Sequence, residues 1–156
     1  MATPIVRRAT RSDILAIVGF NQAMALETED ISLNTLTLQS GVEAIFNYPE
    51  HGFYIVCEME GQVKACLMIT YEWSDWRNGL FWWIQSVFVK KENRQQGLYK
   101  HMYEFIKTQI EQDENIVGLR LYVDDDNLKA QNVYTKLGMN KSNYELFEYS
   151  KPKTIV

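Results

Sequence analysis

Residues 87–100, VFVKKENRQQGLYK, join an apolar strand to a helix through a polar loop, and this unit decides the fold. Val87–Val89 end the strand, and Gly97 begins a helix with apolar residues at helical spacing as far as Ile110. Backbone N–H groups at a helix start, beside a glycine that lets a ligand approach the main chain, can cradle an anion. The stretch therefore predicts a strand, loop and helix with an anion site. Taken alone, the pattern is more often a tight turn at Gly97 beside a solvated Arg94.

The segments on either side of this unit predict a mixed sheet flanked by helices. Before it we expect a short strand at Ile5-Val6, a helix starting at Thr10 and Asp13, a polar loop at 27–34 and a weaker helix ended by Pro49. These are followed by a hairpin of 53–59 and 63–71 around Glu60-Gly61 and by a central strand at 80–89. After it we expect a strand at 119–123, a helix ending at Gly138 and a last strand at 144–149. This order predicts an α/β (α+β) fold with a mixed, mostly antiparallel central sheet.

Length and composition limit the class of protein. The chain has 156 residues, 46% of them hydrophobic and 13% aromatic, which favours one compact domain over residues 1–156 and excludes a disordered chain. The net charge of −4 argues against a nucleic-acid partner. No apolar run, that of residues 80–84 included, is longer than five residues, far fewer than the ~18 that span a bilayer, so no membrane partner is expected.

Cysteine and histidine usage bears on the compartment and on metal binding. Cys57 and Cys66 flank the hairpin turn, which predicts Ile55 opposite Cys66. The two thiols are either diagonal neighbours on one face or, as we favour, free thiols in a reducing cytosol. Neither His51 nor His101 stands at ligand spacing from them, so no metal is expected. The N-terminus lacks the pattern of a secretory signal, and the expected location is cytoplasmic.

Asn127 and Tyr134, seven residues apart after the next strand, add a second pattern. Together with the strand, loop and helix, they resemble the GNAT superfamily of N-acetyltransferases, and the resemblance covers nearly the whole chain. Residues 7–13, RRATRSD, are similar to the usual opening of that superfamily, and RQQGLY at 94–99 is similar to its signature Q/R-x-x-G-x-G/A. Tyr99 departs from the signature, so its ring must point away from the pyrophosphate or the ligand path must shift.

The resemblance implies that acetyl-coenzyme A (acetyl-CoA) binds along the unit. Backbone groups of Val87, Phe88 and Val89 would meet the pantetheine amides as another strand would. Further N–H groups would face the pyrophosphate, with the Arg94 side chain nearby; they belong to Gln95, Gln96, Gly97, Leu98, Tyr99 and Lys100. Asn127 would hydrogen-bond the pantetheine arm, or alternatively would only cap its helix.

The resemblance also gives Tyr134 the role of protonating or stabilising the departing coenzyme A thiolate. Its position on the apolar face of a helix equally fits a packed tyrosine. Proton transfer from a phenol of pKa about 10 to a thiolate of pKa about 8.5 is uphill by about 2 kcal/mol. Tyr134 is therefore expected to act mainly as a hydrogen-bond donor to the sulfur.

The acceptor amine needs a base, because an alkylammonium of pKa about 10 is protonated at neutral pH. Polyamine-acetylating members carry a glutamate on the central strand where Gln85 stands here, and an amide cannot take a proton. Carboxylates are the candidate substitutes, although each alone is more typical of a solvated surface: Glu72 and Asp75 after the preceding strand, and Glu27 and Glu29 in the loop after the first helix. Trp73 and Trp76, in a predicted turn, are candidate walls of an acceptor site that holds a cation.

The resemblance implies an enzyme that moves the acetyl group of acetyl-CoA to a primary amine of a small molecule by direct attack in a ternary complex. Residues 71–89 are vaguely similar to the spermidine/spermine and diamine acetyltransferases, so a polyamine is the first acceptor to try. One alternative is an acyl-CoA-binding sensor or docking module without turnover, which Gln85 and Tyr99 favour. Another is an acetyltransferase acting on a protein or peptide amine. The resemblance further implies a homodimer.

Overall fold

The structure, a computed structural model, describes residues 2–152. Within these residues the strands are β1 (Ile5–Arg8), β2 (Phe53–Met59), β3 (Gln62–Ser74), β4 (Gly79–Val89) and β5 (Ile116–Arg120). The helices are α1 (Ile14–Glu29), α2 (Thr35–Asn47), α3 (Leu98–Glu111) and α4 (Leu128–Lys136). Over the same part of the chain, no helix has both the length and the apolar character needed to cross a membrane.

The strands form one mixed sheet in the order β1-β2-β3-β4-β5. Strands β1 to β4 pair antiparallel, and β5 pairs parallel with β4 after the chain has crossed over through α3. This arrangement confirms the predicted mixed, mostly antiparallel sheet flanked by helices. The apolar strand β4 lies inside the sheet, as its sequence predicts, between β3 and β5.

Helices cover both faces of the sheet and build two apolar layers. The face under α3 buries, among others, Ile55, Leu67, Ile69, Ile84, Leu98, Met102 and Ile106. The face under α1 and α2 buries Ile17, Phe20, Val42, Ile45, Val56, Cys66 and Phe88, among others. Burial of one such side chain stabilises the fold by roughly 2 kcal/mol. The two layers therefore hold β4 and both ends of the loop that follows it.

The hairpin of β2 and β3 turns at Glu60 and Gly61, which have φ values of 55° and 76°. Positive φ at both central residues is the type I′ geometry that matches the twist of the strands. An extra residue, Lys64, bulges from β3, so that Val56 and not Ile55 lies opposite Cys66. The predicted turn is confirmed, and the predicted register is wrong by one residue.

This shift in register decides how the two cysteines are related. Cys57 is buried on the α3 face of the sheet and Cys66 on the opposite face, so the interpretation as diagonal neighbours on one face is wrong. Both are free thiols. Burial raises the pKa of Cys57 to about 11 and that of Cys66 to about 12. Both thiols therefore stay protonated, and unreactive, at neutral pH.

Helix α1 is longer than the sequence predicts. It continues to Glu29 and ends at Asp30, whose φ of 53° is left-handed. Glu27 and Glu29 accordingly lie in the last turn of α1, and their placement in a loop is wrong. The polar composition was misleading because the backbone there stays helical and the Thr28 hydroxyl donates to the carbonyl of Met24 at 2.8 Å.

The predicted strands after α3 also need correction. β5 covers 116–120 and not 119–123, because its ladder with β4 starts at Ile116 and Leu80 and ends at Arg120. Residues 144–149 form no strand. A strand requires a hydrogen-bonded neighbour, and none pairs with this segment within the described residues. Its aromatic side chains are exposed, Phe147 by 90% and Tyr149 by 92%.

The first strand is tied to the first helix by a buried carboxylate. Arg7 donates two hydrogen bonds to Asp13, at 2.8 and 3.0 Å, and a third to Glu58 on β2 at 2.6 Å. Asp13 also accepts from the backbone N–H of Thr10 at 2.7 Å, which completes a capping box. Residues 7–13, first noted for their resemblance to a family opening, thus fix the start of α1 on the sheet.

Candidate active site

The β4 and β5 strands separate part-way along their length. Their parallel pairing runs from Leu80–Ile116 to Trp83–Arg120 and then stops, although β4 continues to Val89. A bulge at Ser86, with φ of 52°, lies in the freed half of β4. Over residues 2–152, nothing pairs with the β5-facing edge of β4 from residue 84 onwards. Val87, Phe88 and Val89, the predicted pantetheine-binding residues, lie on this free edge.

The loop and helix start at residues 94–100, which we call the cradle, follow directly. Gln95 and Gly97 have φ values of 62° and 78°, and Gly97 is the N-cap of α3. Among the described residues, none accepts a hydrogen bond from the N–H groups of 95–97, and those of 98–100 have no acceptor within the helix. A Cβ built on Gly97 would meet no atom within 4 Å. The cradle therefore combines free N–H groups with open space at Gly97, as an anion site requires.

Arg94 connects the cradle to the end of α1. Its guanidinium forms a bidentate ion pair with Glu27, with Nη2 to Oε2 at 2.9 Å, and its Nε donates to the carbonyl of Val89 at 2.9 Å. The hydrogen bonds from Arg94 keep the pKa of Glu27 below its ordinary value. The Glu27 carboxylate thus neutralises the positive charge of Arg94, which was expected to face the pyrophosphate. A cavity of about 250 Å³ lies between these elements, lined by Met24, Glu27, Thr28, Val87, Phe88, Val89 and Arg94.

Tyr134 is half-buried on α4, and burial raises the pKa of its hydroxyl. Its ring meets that of Tyr99 edge-to-face, with centroids 5.8 Å apart. Tyr99 in turn packs against the apolar layer under α3 and has a second ring contact with Tyr103. The ring of Tyr99 therefore lies in the core and not on the cradle. The departure from the family signature leaves the N–H groups of the cradle open.

Asn127 is the N-cap of α4. Its side-chain oxygen accepts a hydrogen bond from the N–H of Ala130 at 3.1 Å. Asn127 therefore caps its helix, and its hydrogen bond to the pantetheine arm stays a prediction. Its side-chain NH₂ group stays available to donate to a ligand.

A set of polar and aromatic side chains extends along β3, β4 and the end of β5 on the α1 face, beyond the area that the helices cover. We call it the open face; its members are Thr70, Glu72, Trp83, Gln85, Arg120 and Tyr122. The register places Thr70 opposite Trp83, and paired side chains share a face. Gln85 donates to the hydroxyl of Thr70 at 2.6 Å. The rings of Trp83 and Tyr122 are 6.1 Å apart.

Glu72 is held by two donors on the open face. Its Oε1 accepts from the Trp83 indole N–H at 2.9 Å and from Arg120 at 2.9 Å. The indole hydrogen bond, followed by that from Arg120, keeps the pKa of Glu72 below its ordinary value. A carboxylate that works as a base near neutral pH needs a pKa raised above its ordinary value. Glu72 is therefore suited to orienting neighbours, and its role as base stays a prediction that this environment disfavours.

Other predicted acceptor residues lie apart from Gln85. Trp73 is next to Glu72 on β3, so its side chain is on the opposite face of the sheet, where it is 60% exposed. Asp75 lies in the turn beyond Leu80 and accepts from the N–H of Trp76. It lies seven residues along the chain from Met68, the β3 partner of Gln85, which is roughly 24 Å at about 3.4 Å per residue. Glu29 is exposed at the end of α1. The structure does not bring Trp73, Asp75 or Glu29 together with Gln85.

Four members of the open face are not among the site residues predicted from the sequence: Thr70, Trp83, Arg120 and Tyr122. The alternation of side chains along β4 predicts that Trp83 lies on the same face as Gln85, because every second residue from 81 to 85 shares one face. No local signal marks Arg120, since its partner Glu72 is 48 residues away.

Comparison with known families and structures decides the identity of this fold. The Acetyltransferase (GNAT) family matches residues 21–139, more than two-thirds of the chain and all of the site. The chain belongs to the acetyltransferase (GNAT) family. The predicted GNAT fold is thereby confirmed. A comparison with curated proteins gave no match.

Solved structures support this membership. A possible acetyltransferase from Clostridium difficile 630 is 42% identical, with a TM-score of 0.89 over 95% of this chain and 97% of that one. The aminoglycoside enzyme AAC(6')-Iy, in complex with the bisubstrate analogue CoA-S-monomethyl-acetylneamine, is 12% identical, with a TM-score of 0.78 over 96% and 99%. A predicted acetyltransferase with acetyl-CoA from Clostridium acetobutylicum is 18% identical, with a TM-score of 0.75 over 94% and 96%. The last two show the fold alone.

Proposed function

We propose that this GNAT protein is an N-acetyltransferase that moves the acetyl group of acetyl-CoA to a primary amine of a small cationic molecule. The observation that carries the proposal is the separation of β4 from β5. It leaves a free strand edge at Val87–Val89 that leads into the free N–H groups of the cradle. The ring of Tyr134 contacts the ring of Tyr99, a residue of the cradle helix.

The residues present fit acetyl-CoA. The free edge of β4 offers backbone partners to pantetheine amides, and the cradle offers N–H groups and a helix N-terminus to the pyrophosphate. The empty space at Gly97 is compatible with close approach to the main chain. The bound thioester would supply an activated acetyl group. Arg94 adds less charge than the sequence suggests, because Glu27 already pairs with it.

The chain must manage two protons. In the proposed reaction the amine nitrogen bonds to the acetyl carbon as the carbon–sulfur bond breaks, so one proton leaves nitrogen and one reaches sulfur. Tyr134 holds a proton at its hydroxyl that it can share with the sulfur. Its raised pKa makes full transfer more uphill than for an ordinary phenol. We therefore assign Tyr134 the role of hydrogen-bond donor to the developing thiolate.

The open face is the proposed acceptor site. Trp83 and Tyr122 offer aromatic faces to an ammonium group, and the Gln85 side-chain oxygen offers an acceptor to the amine. The acidic balance of the chain suits a cationic acceptor. A polyamine is therefore the first acceptor to test. Glu27 lies on the wall of the adjoining cavity and is the carboxylate that we propose for binding a second cationic group.

The test is an acceptor screen that follows thiol release from acetyl-CoA. Polyamines, aminoglycosides, amino acids and short peptides are compared side by side, with Tyr134→Phe as the control variant. We expect turnover with a polyamine, and we expect the variant to lose turnover far more than affinity for acetyl-CoA, because the hydroxyl acts when sulfur gains charge. Turnover only with peptides would move the acceptor to a protein amine. An unchanged rate in the variant would make Tyr134 a packed tyrosine.

One observation favours the second candidate, an acyl-CoA-binding sensor or docking module. The carboxylate of the open face, Glu72, is paired with Arg120, and Gln85 is bonded to Thr70. A site that only binds needs no base. Calorimetric binding of acetyl-CoA without thiol release in the presence of any amine of the screen would establish the module and reject the enzyme.

We also propose that the protein is a homodimer. The exposed aromatic side chains at 144–149 support this proposal, because large apolar groups in water are typical of interaction surfaces. Light scattering on the full chain tests it, and a monomer at all concentrations would reject it.

A further inference from the structure

Tyr99 occupies the place where the cofactor signature carries glycine or alanine. Its backbone N–H can serve the cradle as that of any other residue would. The cofactor signature therefore does not explain why an aromatic ring is present at this position. The ring lies in the apolar layer under α3 and reaches α4, where it meets Tyr134 edge-to-face at 5.8 Å and 63°. The contact therefore joins the first turn of the cradle helix to the helix that carries the proposed proton donor.

The contact of Tyr99 uses its ring and not its hydroxyl. The Tyr99 oxygen is buried and has no hydrogen-bond partner in the part of the chain that the structure describes. A buried hydroxyl without a partner gives the fold nothing that a phenylalanine would lack. An edge-to-face pair, by contrast, constrains both the distance and the tilt of the partner ring. The geometry is what a residue that orients Tyr134 needs.

We propose that Tyr99 is a positioning residue that holds the ring of Tyr134 in place for the sulfur of acetyl-CoA. The inference rests on the proposed function, in which Tyr134 donates to sulfur. Tyr99 acts through Tyr134 and touches neither reacting atom. Alanine at this position would leave Tyr134 free to adopt other rotamers.

Steady-state kinetics separate this role from simple packing. We expect Tyr99→Phe, which keeps the ring, to lose much less kcat than Tyr99→Ala. We expect Tyr99→Ala to lower kcat by about tenfold, since small misplacements of reacting groups have effects of this size. The KM for acetyl-CoA should change less than twofold, because the cradle backbone is unchanged. An equal loss of kcat in Tyr99→Phe and Tyr99→Ala, or a rise in KM with unchanged kcat in Tyr99→Ala, would overturn the proposal.

A double-mutant cycle tests whether Tyr99 acts through Tyr134. If it does, Tyr99→Ala should have no further effect on kcat in a Tyr134→Phe background. An equal loss in both backgrounds overturns the proposal while leaving the role of Tyr134 intact. If Tyr134→Phe alone has no effect, the proton-donor part of the proposed function fails and the proposal about Tyr99 fails with it.

A measurement on the resting protein keeps the test independent of turnover. Ring resonances of labelled tyrosine can be assigned to Tyr134 through the Tyr134→Phe variant. They should be the same in Tyr99→Phe and move in Tyr99→Ala, because a neighbouring ring shifts the resonance of the ring beside it. Should Tyr99→Ala not fold, Tyr99→Leu replaces it, since leucine keeps bulk but not the edge-to-face contact. Unmoved resonances in the folded variant would overturn the proposal.

Discussion

Gln85 lies on the open face, and its side-chain NH₂ group donates a hydrogen bond to the Thr70 hydroxyl. A carboxylate at the position of Gln85 would be able to take the proton from the acceptor ammonium group. We predict that Gln85→Glu raises kcat/KM near neutral pH by roughly tenfold or more, because it supplies the missing base. For the natural chain we predict that kcat/KM rises with pH towards the pKa of the free amine, about 10. Profiles of kcat/KM against pH for both proteins test this.

Glu72→Gln is the control for that experiment. The pKa of Glu72 is already held below its ordinary value by Trp83 and Arg120, so its loss should leave the shape of the profile unchanged. An early plateau in the natural chain that disappears in Glu72→Gln would contradict us and make Glu72 the base.

Gly97 combines a left-handed backbone with empty space above it. We predict that Gly97→Val weakens acetyl-CoA binding by about tenfold or more, because a branched side chain fills the approach to the cradle. Gly61→Val is the matched control, since Gly61 has nearly the same φ (76° against 78°) and equal space but lies in the distant hairpin. Calorimetry on both folded variants compares the two. Equal affinities for Gly97→Val and the natural chain would remove the cradle from the site.

At the scale of elements, the link between α1 and the cradle is a single ion pair. Glu27 would lie close to the phosphates that the cradle is proposed to bind, and like charges repel. We predict that Glu27→Gln tightens coenzyme A binding about two- to fivefold at low salt, within the range for an exposed pair. The gain should vanish at high salt because screening removes it. We also expect a higher KM for a polyamine.

Glu50→Gln, an equal change of charge at an exposed site outside the cavity, is the control for Glu27→Gln. Titration calorimetry at two salt concentrations measures the effect. Weaker coenzyme A binding in Glu27→Gln would mean instead that the ion pair holds the loop in its binding shape.

For the whole molecule, Arg7, Asp13 and Glu58 join β1, α1 and β2. Hydrogen bonds from Arg7 keep the pKa of Asp13 below its ordinary value. The carboxylate therefore stabilises the fold above its ordinary pKa, and this contribution is lost as pH falls through the lower pKa of the folded state. We predict that Asp13→Asn lowers the free energy of unfolding by roughly 1–2 kcal/mol near neutral pH, allowing for the partial exposure of Arg7.

Urea unfolding across the acid range measures this contribution. The difference between the natural chain and Asp13→Asn should shrink as pH falls below the ordinary pKa of an aspartate. A difference that stays constant with pH would show that Asp13 acts through its shape and not its charge.

The sequence by itself determined those features that depend on short-range chemistry. The turn at Glu60-Gly61, the start of α3 at Gly97 and the cap at Gly138 follow from residues whose backbone preferences are local. The apolar run of β4 determined that this strand is interior, and the cradle could be predicted because its N–H groups belong to consecutive residues.

Only the tertiary structure decided the features that join distant parts of the chain. The end of β5 was missed because pairing with β4, and not composition, sets where that strand stops. Arg94 pairs with Glu27 and Arg120 with Glu72 across 67 and 48 residues, and no local pattern encodes either partner. In the sequence Tyr99 is only a departure from the family signature, whereas in the structure its ring contacts that of Tyr134. Side-chain partners on different elements depend on packing, which sequence periodicity does not specify.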